Sequence, residues 1–119
     1  MSKEANEGLR RHKLLTAELR KQLPKLYSTE HTPTNEKIVI TRFFSIANHW
    51  SWYPVEFDGV DTFFGFVDGW EPEWGYFSLS ELAELTFQNG VPAVERDLYF
   101  RSAAVSDVPQ IQQLGLTQP

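Results

Sequence analysis

The chain has 119 residues, 41% of them hydrophobic and 23% charged, with a net charge of −5. That is the size and balance of one globular domain with a core of its own. The absence of cysteine excludes disulfides, thiolate zinc sites and a cysteine nucleophile, and the negative balance argues against general nucleic-acid affinity, which phosphate contacts dominate.

Residues 1–13 are polar and charged, with Leu9 as their one large aliphatic side chain. They read as a flexible extension without the apolar stretch of a secretory signal. Leu15, Leu19 and Leu23 recur at helical spacing, with Thr16 as the N-cap, Glu18 in the first turn and Pro24 as the stop. The polar run 28–36 is a loop. Lys37 to Phe44 is β-branched and aromatic, the pattern of one central strand covered on both faces. Trp50 to Phe57 forms a second strand, in which Pro54 requires an edge or a bulge. Asp58-Gly59 turns the chain. Thr62 to Asp68 forms a third strand, with Gly65 marking a close approach, and Asp68-Gly69 opens a second turn. Glu73 to Phe77 forms a fourth.

Ser78 with Glu81 fits a capping box. It opens a helix whose apolar face is Leu79, Leu82, Leu85 and Phe87, stopped by Asn89-Gly90-Val91-Pro92. Leu98 to Phe100 reads as a last short strand. Residues 102–119 form a C-terminal tail, with a weak helix from Pro109 to Leu114. The expected organisation is therefore a 1–13 extension, a single 14–101 domain and a 102–119 tail. The fold class is α+β: an antiparallel four- to five-stranded meander sheet with two short helices packed on one face.

Charge is divided sharply along the chain. From Phe43 to Glu95 there is no Lys or Arg, but there are nine carboxylates, fourteen of the seventeen aromatics and all four Trp. Residues 1–42 carry nine basic side chains against five acidic ones. A negative, aromatic-rich body beside a positive leader bears on partner choice and association rate. The acids fall around two turns: Glu56, Asp58 and Asp61, then Asp68, Glu71 and Glu73. Neither group has the spacing of an EF-hand loop, and solvated turn acids are the simpler account. His12, His31 and His49 are too scattered for a metal triad. No G-x-S-x-G elbow or phosphate loop is present. No metal or cofactor is expected. Trp50 and Trp52 share one strand face by the two-residue period, and Trp70 and Trp74 flank the second acidic turn. Tryptophan is favoured where interfaces concentrate their binding energy, although core packing also accounts for it.

Taken together, LLTAELRKQLPKLYSTE, KIVITRFF, WSWYPVEFDG, DTFFGFVDG, WGYFSLSEL and VERDLYF resemble the small bacterial domain-of-unknown-function family numbered 2958. The likeness covers roughly residues 14–101. It implies no activity and no catalytic residues. It does imply a setting on plasmids, integrated elements and phages, near transfer and anti-defence genes.

The expected function is thus a non-catalytic interaction protein of a mobile element, in the cytoplasm and without membrane contact. Its contacts would be Trp50, Trp52, Glu56, Asp58, Asp61, Glu71, Glu73 and Trp74. The partner would be a protein with a basic surface, such as a nuclease or defence effector, rather than nucleic acid itself. The alternative is a carboxylate-based or metal-dependent hydrolase acting on nucleotides or sugars through Asp58, Asp61, Glu71 and Glu73, which requires those acids to gather in one pocket. Oligomeric state has no signature in the chain.

Overall fold

The computed structural model describes residues 4–10 and 12–114. The fold is α+β and mostly sheet. Three long strands, β3 (Ser51–Phe57), β4 (Thr62–Asp68) and β5 (Pro72–Ser78), form an antiparallel meander. β2 (Phe43–Ser45) pairs with the free side of β3, and β6 (Val94–Arg96) returns to pair with β2. The five-stranded order is β5-β4-β3-β2-β6. A separate two-stranded ladder joins β1 (Ile38–Val39) to β7 (Ala103–Ala104).

The single strand expected over 37–44 is therefore two strands in two sheets. The break follows from Pro54. Proline has no N–H to offer a neighbouring strand, and the register of β3 shifts between Pro54 and Glu56. At this point Ile40 donates its N–H to the Pro54 carbonyl at 3.0 Å, and the chain crosses from β1 to β2. The bulge also turns successive side chains to new faces. On β4, Gly65 accommodates the crowding: a Cβ there would lie 2.2 Å from the Tyr53 carbonyl oxygen and 2.8 Å from the Pro54 Cα.

Helices α1 (Ala17–Gln22) and α2 (Leu79–Glu84) accompany one face of the sheet. Thr16 caps α1 by accepting the Leu19 N–H at 3.2 Å. Leu14, Leu15, Leu23, Leu79, Leu82 and Ala83 pack there on Phe43, Trp52, Phe57, Phe63 and Phe77. Phe57, Phe63 and Phe77 form a stack across three strands, with centroid spacings of 4.5 and 5.2 Å. The opposite face has its own cluster. Val39, Tyr53, Val55 and Phe66 pack with Val105, Val108 and Ile111. Val105 opens a 3-10 turn at Val105–Asp107, Val108 joins that turn to α3 (Pro109–Gln113), and Ile111 lies on α3.

Both terminal segments thus belong to the packed body as far as they are described. Expected as a flexible extension, residues 4–10 instead lie against the first face. The Glu4 carboxylate accepts the buried N–H groups of Leu14 and Leu15 at 2.9 and 2.8 Å. Arg10 donates to the carbonyls of Val94 and Ala83, and Asn6 also donates to Ala83. Ala83 is in the last turn of α2, where carbonyls have no intrahelical partner. Burial works to lower the Arg10 pKa, against the raising influence of Glu95 and Glu4. In the segment expected as a tail, the helix at 109–113 forms as anticipated, but residues 103–108 are structural. Gly115 and beyond lie outside the described residues.

Two other elements differ from expectation. α2 ends at Glu84, and the chain then doubles back, with Phe87 donating to the Val91 carbonyl at 2.8 Å and Gly90 at a φ of 86°. Leu85 and Phe87 are consequently exposed. The last strand of the large sheet is Val94–Arg96 rather than 98–100, where the Asp97 side chain instead accepts the Tyr99 N–H in a tight turn.

Two substitutions test this account. Gly65→Ala sets a methyl group against backbone in a central strand. It is expected to cost at least about 3 kcal/mol or to prevent folding. Glu4→Ala leaves two buried N–H groups without acceptors and should cost about 2 kcal/mol. Urea denaturation followed by circular dichroism measures both.

Candidate functional site

The acids and tryptophans singled out from the sequence fall into four places. The first is the β4–β5 turn. Gly69 has no side chain, and Trp50 occupies the space beside it: a Cβ on Gly69 would lie 2.5 Å from the Trp50 ring. Trp50 in turn contacts Trp52 at 5.9 Å and Trp70, edge-on, at 5.9 Å and 86°. The three indoles grade outward from Trp52 at 6% exposure through half-buried Trp50 to Trp70 at 90%. Glu71 and Glu73 flank the outer end and are exposed. With Val67 they complete a pocket of about 270 Å³. Among the described residues neither glutamate has an ion pair.

The second place is the β3–β4 turn, at the other end of β4. Asp58 accepts the N–H groups of Val60, Asp61 and Thr62 at 2.8, 2.8 and 3.0 Å, and Gly59 takes the left-handed φ of 87° that the turn requires. A leader cation sits against this turn. Arg20 donates to the Gly59 carbonyl at 3.2 Å, with its guanidinium 5.3 Å from the centre of the Phe57 ring. Asp61 accepts from the Ser78 and Ser80 hydroxyls at 2.7 Å each and from the Ser80 N–H at 2.8 Å. Ser78 accepts the Glu81 N–H at 3.1 Å, as the capping box anticipated. The carboxylate that completes the cap comes from Asp61, on a different turn.

The third place is occupied by Glu56, which is only 3% exposed. Its oxygens accept the N–H groups of Tyr27 and Thr29 at 2.8 and 3.1 Å and the Thr29 hydroxyl. Lys37 Nζ donates to the Thr29 carbonyl and hydroxyl, so Thr29 bridges a buried cation and a buried anion. Tyr27 is held at a φ of 70°, a strained value for a residue with a side chain. Trp74 occupies the fourth place, on the opposite face of the sheet from Trp52. It packs there on Phe66 and Phe64.

Trp50, Glu71 and Glu73 therefore come together, while Asp58 and Asp61 stand at the far turn. Trp52 and Glu56 are buried, and Trp74 belongs to the other face. Trp70 joins the first group although it was not among the expected contacts. Its signal was positional: between Gly69 and Glu71 it lies in a turn, where strand alternation cannot bury it. Asp58, Asp61, Glu71 and Glu73 are split between opposite ends of β4, so no pocket collects the four acids a hydrolase would need. Among the described residues no group of three or more His, Asp or Glu could hold a metal ion, and no helix is long and apolar enough to cross a membrane.

A family described as "Protein of unknown function (DUF2958)" matches residues 14–108, and the chain belongs to that family. The match reaches past the expected limit at residue 101 to include β7 and the 3-10 turn after it. No curated protein and no solved structure matches the chain.

The Asp61 cap has a pH signature. Burial acts to raise its pKa, but the Ser78 and Ser80 donors prevail and hold it below the ordinary aspartate value. A carboxylate depressed in the folded state stabilises above its unfolded pKa of ~3.9, and that stability is lost as pH falls through the lower folded value. Asp61→Asn should cost about 1 kcal/mol at neutral pH, the usual loss for a helix cap. Its deficit against the parent in urea titrations should shrink once the pH falls below about 4.

Proposed function

We propose that the protein is a non-catalytic interaction module that docks the Trp50–Trp70 corner, with Glu71 and Glu73, onto a basic surface of a protein partner. The support is Trp70. An indole that is 90% exposed yet braced edge-on by a second indole is preorganised for contact. It loses little side-chain freedom on binding, and tryptophan dominates interface energetics out of proportion to its number. The adjoining carboxylates fit lysine or arginine, whose cations also favour an indole face. An acidic rim of this kind raises the association rate and makes it salt-sensitive.

The setting completes the proposal. Family membership suggests a cytoplasmic protein of a plasmid, integrated element or phage. There the natural targets are DNA-binding nucleases or defence effectors of the host, whose phosphate-reading surfaces carry the complementary charge. The carboxylates would stand in for phosphate without the protein itself binding nucleic acid.

Affinity capture from host lysate in about 50 mM salt, repeated in about 500 mM, tests this. The expected result is a basic DNA-binding protein retained only at low salt, whose DNA binding the wild-type chain inhibits. Trp70→Ala should weaken that inhibition about 30-fold, the effect of losing ~2 kcal/mol at a hot spot. Recovery of no basic partner at low salt, or inhibition indifferent to Trp70→Ala, would overturn the proposal.

A further inference from the structure

A cavity of about 370 Å³ opens on the second face of the sheet, lined by Tyr27, Glu30, Lys37, Glu56, Phe64 and Tyr76 among others. Phe64 and Tyr76 are register partners four rungs from the β4–β5 turn, counting Phe64↔Tyr76 down to Asp68↔Pro72. The cavity is thus separate from the Trp70 corner, and nothing proposed for that corner enters here. Its volume falls within the range of small-molecule sites, roughly 300–1,000 Å³.

Three aromatic rings make its wall. The Tyr27 and Tyr76 centroids are 6.5 Å apart with planes at 60°, and those of Phe64 and Tyr76 are 5.2 Å apart at 56°. Rings so inclined form a corner. A flat heterocycle needs parallel faces to stack between, whereas a compact cation is satisfied by several tilted ones. Three charged groups line the same space: buried Glu56 and Lys37 are joined through Thr29, and the Glu30 carboxylate is the exposed one. The Tyr76 hydroxyl titrates above the ordinary tyrosine value, chiefly through the neighbouring Tyr27 hydroxyl and through burial, with the Glu56 and Glu30 carboxylates acting in the same direction. The wall is also built at a cost. Tyr27 is held in left-handed backbone by the donation of its own N–H to buried Glu56, and such strain persists where the surroundings over-determine it, often at ligand clamps.

We propose that this cavity is a binding site for an organic cation, an alkylammonium or guanidinium group held by the Tyr27, Phe64 and Tyr76 rings and the exposed Glu30 carboxylate. The group would be carried either by a free small molecule or by a side chain of a peptide.

Proton NMR of the ligand methyl groups, titrated with the full chain, is the test. The probes are choline, a blocked peptide containing trimethyl-lysine, and 3,3-dimethylbutanol, the uncharged isostere of choline. Choline or the peptide should show saturable upfield methyl shifts below about 10 mM, with the alcohol at least about tenfold weaker. The tighter of the two cationic probes identifies the source. Tyr76→Leu keeps an apolar side chain at an exposed strand position and should weaken cation binding about tenfold. Glu30→Gln, on an exposed loop, should weaken it without touching the fold, as thermal melting would confirm. Absence of saturation by either cation, equal binding of the alcohol, or affinity unchanged in Tyr76→Leu would overturn the proposal.

Discussion

The contact on which the arrangement depends is the crossing of β3 and β4 at Pro54 and Gly65. Strict alternation along β3 would put Tyr53, Val55 and Phe57 on one face and Trp52, Pro54 and Glu56 on the other. The register shift between Pro54 and Glu56 breaks that series. Phe57 then joins Trp52 in the first cluster and completes the stack with Phe63 and Phe77. Glu56 is carried to the second face, opposite Phe64, where it anchors the loop around Tyr27 and Thr29. One proline and one glycine thereby divide the aromatic residues between two hydrophobic layers and place a carboxylate where the sequence shows only another acid beside a turn.

The local chemistry was legible in the chain. Thr16 and Ser78 act as helix caps, Asp58-Gly59 turns, β4 has its expected limits and Gly65 marks the close approach. Long-range substitutions were not. Nothing near Ser78 announces that Asp61, from an earlier turn, would supply the second half of its cap. Glu56 reads as a solvated acid because its partners, two backbone N–H groups and the Thr29 hydroxyl, lie nearly thirty residues earlier in a polar loop that does not single them out. The second hydrophobic layer was missed for a related reason. Val105, Val108 and Ile111 are sparse in a polar stretch, and only the sheet face beneath them makes three such residues a core.

Electrostatically, the division between leader and body is less absolute in space than along the chain. Arg10 is buried and tied to three carbonyls, and Arg20 lies on the Asp58-Gly59 turn. Two of the basic side chains that a linear reading sets apart are thus incorporated into the acidic half. Exposed carboxylates remain at the β4–β5 turn, where Glu71 and Glu73 stand, and at the cavity, where Glu30 does. At both places carboxylates adjoin aromatic rings, so a cation arriving there meets two favourable terms at once.

The terminal segments have a practical corollary for anyone seeking a minimal version of this protein. The family resemblance spans residues 14–108, yet the carboxylate that satisfies Leu14 and Leu15 lies upstream of it and the Ile111 side chain that closes the second layer lies downstream. A fragment cut at the homology limits would expose a hydrophobic surface on each side of its sheet. Shared ancestry and physical self-sufficiency therefore end at different residues here, and the boundaries for expression or fusion belong outside those of the alignment.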